Sequence, residues 1–301
     1  MGIKASHIAS FLNAELHGKD ISLIKVSSLD SMYSNSVVYA KQLSEDIVHL
    51  LNNRNDLLAI VCREYDGLLR NPHIISLNPR LDFARILKNF FEKDRKVGIE
   101  STAIVSKTAS IGMGSYIGHY SIIGDGVVIG NCTEIRDHVV IKDNCAIGNQ
   151  CIIKSNTVIG EEGFGFEFDE NGAPIRIPHL GSVRIGDEVE VGALNVIARG
   201  TLDDTILSDK VKTDDHVFIA HNVKVGENTV IIAGTEISGS VTIGKNVWIA
   251  PQSTIINKVD IGDNSFIGIG SVVIKSVDSD VVVAGFPARK IKDRDVTSDK
   301  G

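Results

Sequence analysis

The chain has 301 residues, a formal net charge of −7, 43% hydrophobic residues, 28 glycines, 6 prolines and 4 cysteines. The apolar share is enough for a packed core and excludes wholesale disorder, while the acidic balance argues against a nonspecific nucleic-acid binder, which needs surplus Lys and Arg to neutralise phosphates. No run approaches the ~18 apolar residues that span a bilayer, and the start, MGIKASHIASFLNAELHG, lacks an apolar signal core, so the sequence predicts a soluble, cytoplasmic protein with no membrane span.

Residues 1–98 predict a small α/β domain. His7 to Leu16 is helix-like, Ile21 to Val26 and Leu57 to Cys62 are β-rich, and Arg80 to Phe91 is an amphipathic run in which Leu81, Ala84, Ile86 and Leu87 form one face. Cys62, Cys132, Cys145 and Cys151 contain no CxxC pair, which points to reduced thiols and to no metal site.

From Val105 an aliphatic residue recurs at every sixth position through Ile111, Ile117, Ile123, Ile129, Ile135, Ile141, Ile147 and Ile153 to Ile159. The pattern resumes at Ile185, Val191, Ile197 and Leu207, then runs from Ile219 to Val273. Many of these residues are followed by glycine, as at Ile111-Gly112 and Ile243-Gly244, which is where the glycines of the composition sit. A period of six fits no helix; it fits a short strand and a sharp turn, three units to a coil, in which each aliphatic stacks on the one eighteen positions away. The expected fold is therefore mainly β, a parallel β-helix over residues 99–278, with glycine relieving a backbone geometry that a Cβ would penalise. Residues 161–184 interrupt it with three phenylalanines and an ENGAP turn signal, predicting a projecting loop or hairpin, and residues 279–301 read as a charged, frayed tail.

Polar residues that break the turn pattern cluster in TDDHVFIAHN: Asp214, Asp215, His216, His221 and Asn222. Histidine beside carboxylates suits a general base, because an unperturbed imidazole titrates near pH 6.5 and an acidic neighbour orients it. On spacing alone the ordinary reading is a solvated turn histidine.

The hexads, the FIAHN segment, GEEGFGF followed by RIPHLGSVRIGDEVEVGA, and ARGTLDDT together resemble the UDP-3-O-(3-hydroxyacyl)glucosamine N-acyltransferase family, which acts in lipid A assembly. IASFLNAELHGKDI and NPRLDFARIL extend the likeness into that family's uridine-binding module. The resemblance implies a left-handed coil, a homotrimer, no bound cofactor, and transfer of a (hydroxy)acyl group from acyl-CoA or acyl carrier protein to the amine of a nucleotide-linked amino sugar. It makes His221 the general base and Gly239 the donor of the oxyanion N–H, with Asn222 touching the sugar and Asp214 or Asp215 orienting the imidazole.

Three departures bear on substrate. A second functional histidine of the family falls at Lys258, which still suits a phosphate. The uracil contacts fall at Tyr39 and Gln42, with the second aromatic replaced near Glu45. The close, AGFPARKI, resembles coenzyme A-dependent hexapeptide acyltransferases, so that Arg289 and Lys290 would meet donor phosphates. These point to a relative acting on another nucleotide amino sugar in surface-polysaccharide synthesis. Two other classes remain open at this level: a zinc hydratase like the γ-class carbonic anhydrases, using His216 and His221, and a noncatalytic scaffold.

Overall fold

The computed structural model describes residues 2–93 and 95–295. Two compact units divide between Asp94 and Arg95. The division falls ahead of the expected residue 98, because Gly98–Ile99 already pairs in parallel with Tyr116–Ile117 as a rung of the repeat. Among the described residues no helix is long and apolar enough to cross a membrane.

In the first unit Leu16–His17, His73–Ile75, Leu57–Val61, Ser36–Ala40 and Lys25–Val26 form a five-stranded sheet in that order. Only the Leu16–His17 edge is antiparallel. Leu57–Val61 is buried throughout, as suits a strand covered on both faces. Helices α1 (Ala5–Phe11), α2 (Glu45–Asn52) and α3 (Pro79–Ile86) accompany the sheet. The Ser44 hydroxyl caps α2 by accepting from the Ile47 N–H at 3.3 Å, and Asn78 caps α3 ahead of Pro79.

Two sequence expectations fail here. Helix α1 ends at Phe11 rather than Leu16, since Leu16 is drawn into the sheet opposite Ile74. The inward side of α3 and the turn after it is Pro79, Phe83, Ile86 and Phe90, which keeps the helical spacing, while Leu81 and Ala84 face solvent.

The second unit is a three-sided parallel β-helix of the left-handed type, with sheets of 8, 11 and 9 strands among the described residues. Nearly every strand of the coil is two residues long, and every repeated aliphatic from Ile117 to Val273 is buried. The role expected of the glycines needs correcting. A Cβ on Gly112 would lie 2.4 Å from the Gly130 carbonyl carbon of the next coil, so the demand there is for space. Left-handed backbone occurs two residues later in most repeats, as at Asn144 (φ 63°) and Asn222 (φ 62°).

Between Leu207 and Ile219 the inward position is Thr213, a polar core residue that hides the rhythm in the sequence. Its hydroxyl donates to Asn195 Oδ1 at 3.0 Å and accepts from the Gly192 N–H at 3.1 Å. The tail also differs from expectation. Val281–Gly285 and Ala288–Asp293 form a hairpin whose first strand continues the 11-stranded sheet beside Phe266–Ile267; residues 296–301 lie outside the described residues.

Candidate active site

Several turns of the coil are sealed by a side chain one coil on. The Asp125 N–H donates to Asp143 Oδ1 and the Lys245 N–H to Asp263 Oδ1, both at 2.8 Å across 18 residues. At His221 no such bond forms, because the residue one coil on is Gly239 and has no side chain. Register Ile219↔Ile237 stacks the two, and the Ser240 N–H still donates to the His221 carbonyl at 2.9 Å. The imidazole fills the space above Gly239, where a Cβ would lie 2.6 Å from Cε1 and 2.7 Å from Nε2. Among the described residues the Gly239 N–H has no acceptor, which leaves a backbone donor beside the ring.

Asn222 orients that ring. His221 Nδ1 lies 3.0 Å from Asn222 Oδ1, and an amide oxygen can only accept, so Nδ1 carries the hydrogen and Nε2 presents the lone pair. The same oxygen accepts from the Thr201 N–H and hydroxyl at 3.1 Å, while Asn222 Nδ2 donates to the Asp203 carbonyl at 3.3 Å. With its amide engaged on both sides, Asn222 is itself held in place as it holds the His221 ring.

Thr201 and Asp203 belong to the smaller of two breaks in the repeat, where the register lengthens from 18 to 22. The larger break, with register 38, is the 161–184 insert. It forms a hairpin, Phe166–Phe168 against Pro174–Arg176, turned by Asp169 Oδ1 accepting from the Asn171 and Ala173 N–H groups. The two breaks are tied together: the Ser182 N–H and the Arg184 guanidinium both bond Asp204, and the Leu180 N–H donates to the Thr201 carbonyl at 2.7 Å.

This packing delivers His179 to the site, a residue the sequence reading passed over although it sits in RIPHLGS. Its ring meets His221 edge-on at 5.2 Å and 71° and is 3% exposed. Gly163 backs both rings, since a Cβ there would lie 2.8 Å from His179 Nε2 and 3.0 Å from His221 Cδ2. His179 Nδ1 donates to the Ile177 carbonyl at 3.0 Å, and Nε2 is buried with no partner. Burial holds the imidazole below its usual titration range, reinforced by His221 and opposed by the Ile177 hydrogen bond, so the ring is neutral and offers one bare acceptor.

The remaining expected residues fall elsewhere. Asp214, Asp215 and His216 occupy the corner before strand Phe218–Ile219, whereas His221 occupies the corner after it. Asp215 Oδ1 accepts from the Ala193 N–H at 2.7 Å, an ordinary rung of the ladder. Neither carboxylate orients His221 within the chain, and His216 and His221 do not assemble as a zinc pair. Lys258 stacks on this corner through its N–H to the Gly239 carbonyl at 3.1 Å, with its side chain exposed. Arg289 and Lys290 lie on the C-terminal hairpin and line a pocket of about 310 Å³ together with Lys275 and Ser276. In the first unit Tyr39 is half-buried with its ring 4.7 Å from Phe83, Gln42 is exposed, and Glu45 opens α2.

In class, residues 240–275 of the coil match the bacterial transferase hexapeptide family (six repeats). Over 254 residues the chain is 42% identical to the UDP-3-O-acylglucosamine N-acyltransferase of Campylobacter jejuni (strain RM1221), covering 79% of this chain and 78% of that protein. It is 52% identical to the Coxiella burnetii (strain RSA 493 / Nine Mile phase I) protein of the same name over 83 residues, 28% of this chain and 24% of that relative's length. Among solved structures, UDP-N-acetylglucosamine O-acyltransferase from Moraxella catarrhalis RH4 superposes with a TM-score of 0.59 at 30% identity, over 64% of this chain and 73% of that one. The Francisella novicida UDP-N-acetylglucosamine acyltransferase does so with 0.59 at 25% identity, over 64% and 69%. The chain belongs to the UDP-3-O-acylglucosamine N-acyltransferase family.

Proposed function

We propose that the protein transfers a (hydroxy)acyl group from an acyl thioester to the amino group of a nucleotide-linked amino sugar, in lipid A or related surface-polysaccharide synthesis. The observation that carries this reading is the pairing of His221 with Gly239: a base of fixed tautomer beside an unused backbone donor. His221 Nε2 takes a proton from the sugar amine as its nitrogen bonds to the thioester carbonyl carbon. The carbonyl oxygen becomes an oxyanion and accepts from the Gly239 N–H, and collapse of the adduct breaks the C–S bond. The leaving thiolate takes the proton back from the imidazolium. His179 Nε2, an acceptor without a donor of its own, positions the acceptor sugar by receiving a hydroxyl hydrogen bond.

Acyl-CoA and acyl carrier protein both present the thioester on a phosphopantetheine arm. The pocket at Lys275, Arg289 and Lys290 supports an approach along one edge of the coil. Registers Ile219↔Ile237, Ile237↔Ile255 and Ile255↔Val273 stack His221, Gly239, Asn257 and Lys275 in a column. Three parallel-strand spacings separate its ends, roughly 14 Å. The basic pocket then receives the phosphates and His221 the thioester. In the first unit Tyr39 and Gln42 are the nucleotide contacts that the family resemblance implies, and in the second Lys258 suits a phosphate. A closed trimer with a site at each subunit cleft completes the reading.

The test is a matrix of acyl-CoA and acyl-carrier donors against UDP- and dTDP-linked amino sugars, read by mass spectrometry. Amide formation on a nucleotide amino sugar is the expected result. Hydrolysis of the thioester without transfer to any amine overturns the proposal.

A further inference from the structure

The first unit holds a second histidine cluster that the proposed transfer does not use. His17 and His73 are direct partners across the antiparallel edge of the sheet, and their rings stack at 4.9 Å and 11°. Asp66, at the end of the short helical turn Arg63–Tyr65, joins them, and one ligand atom from each of the three residues falls within 4.8 Å of the others. His73 is 4% exposed. Its Nδ1 donates to the Asn71 carbonyl at 2.8 Å, which leaves Nε2 as a bare lone pair, buried and without a partner. Asn71 Oδ1, fully buried beside it, is also unpartnered.

We propose that His17, Asp66 and His73 bind a divalent metal ion of the Zn²⁺ type. A metal-ligating histidine commonly gives its second ring N–H to a backbone carbonyl, fixing tautomer and orientation, and His73 has that arrangement with Asn71. Two imidazoles and one carboxylate suit Zn²⁺ or Co²⁺, whereas Mg²⁺ and Ca²⁺ prefer oxygen donors alone. Ligand atoms around a tetrahedral Zn²⁺ lie roughly 3.3 Å apart, so the set closes inward on binding, with exposed Asp66 moving and buried His73 fixed. Three protein ligands leave a coordination position for water or a ligand, and the ion ties the segment after Asp66 to the sheet edge.

The test uses the full chain stripped of metal. Zn²⁺ alone is titrated by calorimetry, Co²⁺ absorption reports coordination by nitrogen and oxygen, and thermal unfolding is followed with and without Zn²⁺. Asp66→Ala and His17→Ala, both at positions with exposed or half-exposed side chains, remove ligands without opening the core; His221→Ala controls for the other histidine pair. The proposal expects one Zn²⁺ per chain and a raised unfolding temperature, both lost in Asp66→Ala and His17→Ala and retained in His221→Ala. Absence of stoichiometric binding by the wild-type chain, or binding that survives both ligand substitutions, overturns it.

Discussion

The imidazole of His221 occupies the volume that a side chain at residue 239 would need: a built Cβ falls 2.7 Å from Nε2, the atom assigned to take the proton. Glycine at 239 thus serves two ends, exposing its N–H and leaving room for the base. Gly239→Ala pushes a movable ring aside rather than a backbone, so we predict a loss of kcat of about 10² or more with an unchanged melting temperature. Steady-state kinetics beside thermal unfolding checks this, and retained kcat would separate Gly239 from the base.

Asn222 holds the His221 tautomer through a neutral oxygen. Asn222→Ala frees the ring to turn and unpairs the Thr201 and Asp203 groups. It should cost about 10²-fold in kcat, taken as part of the range for general base catalysis, together with about 1–2 kcal/mol of stability from the lost hydrogen bonds. The pair of measurements matters: a stability loss with normal kcat would reduce Asn222 to a structural residue.

For His179 the role assigned is acceptance of one substrate hydrogen bond. His179→Ala is expected to raise KM for the acceptor sugar by about tenfold, equivalent to one hydrogen bond, with KM for the thioester unchanged. An equal rise for both substrates would point to general disorder of the insert instead.

The same residue sets a pH dependence. Burial lowers the titration of both His179 and His73 below the usual imidazole value of 6.5, so as pH falls through 6.5 the unfolded chain takes up protons that the native rings refuse. Stability that is complete above that value is therefore lost on acidification from there toward the folded-state values. Melting temperatures followed from about pH 7.5 to 5 should fall less for His179→Gln than for wild type. A steeper fall in the variant would contradict the assignment of a neutral buried ring.

Thr213 is polar in a column of isoleucines because it pairs Asn195 Oδ1 with the Gly192 N–H. Thr213→Val restores the aliphatic rhythm of the sequence yet strands both partners, and should cost about 1–3 kcal/mol in chemical denaturation. A more stable variant would mean that the hydroxyl contributes less than the methyl that replaces it.

The period of six made the coil legible because each repeat carries its own inward aliphatic, buried from Ile117 onward. What the rhythm could not convey was the content of its breaks. Gly163 and His179 reach His221, and Thr201 and Asp203 reach its partner Asn222, from the two interrupted stretches, and their convergence depends on bonds such as Ser182 to Asp204, which span 22 residues. Local reading instead favoured Asp214 and Asp215, near His221 in sequence but one corner away, since a turn of the coil separates neighbours that a linear motif joins. In the first unit, short strands such as His73–Ile75 have too few residues to declare a period, and their role emerged only from pairing.

The most direct measurement is the rate of acyl transfer by His221→Ala against wild type, with donor thioester and nucleotide amino sugar saturating and with folding checked by circular dichroism. Loss of the proton acceptor predicts a fall in kcat of about 10²–10⁴ with the fold intact. Transfer at the wild-type rate by a folded His221→Ala would contradict the account.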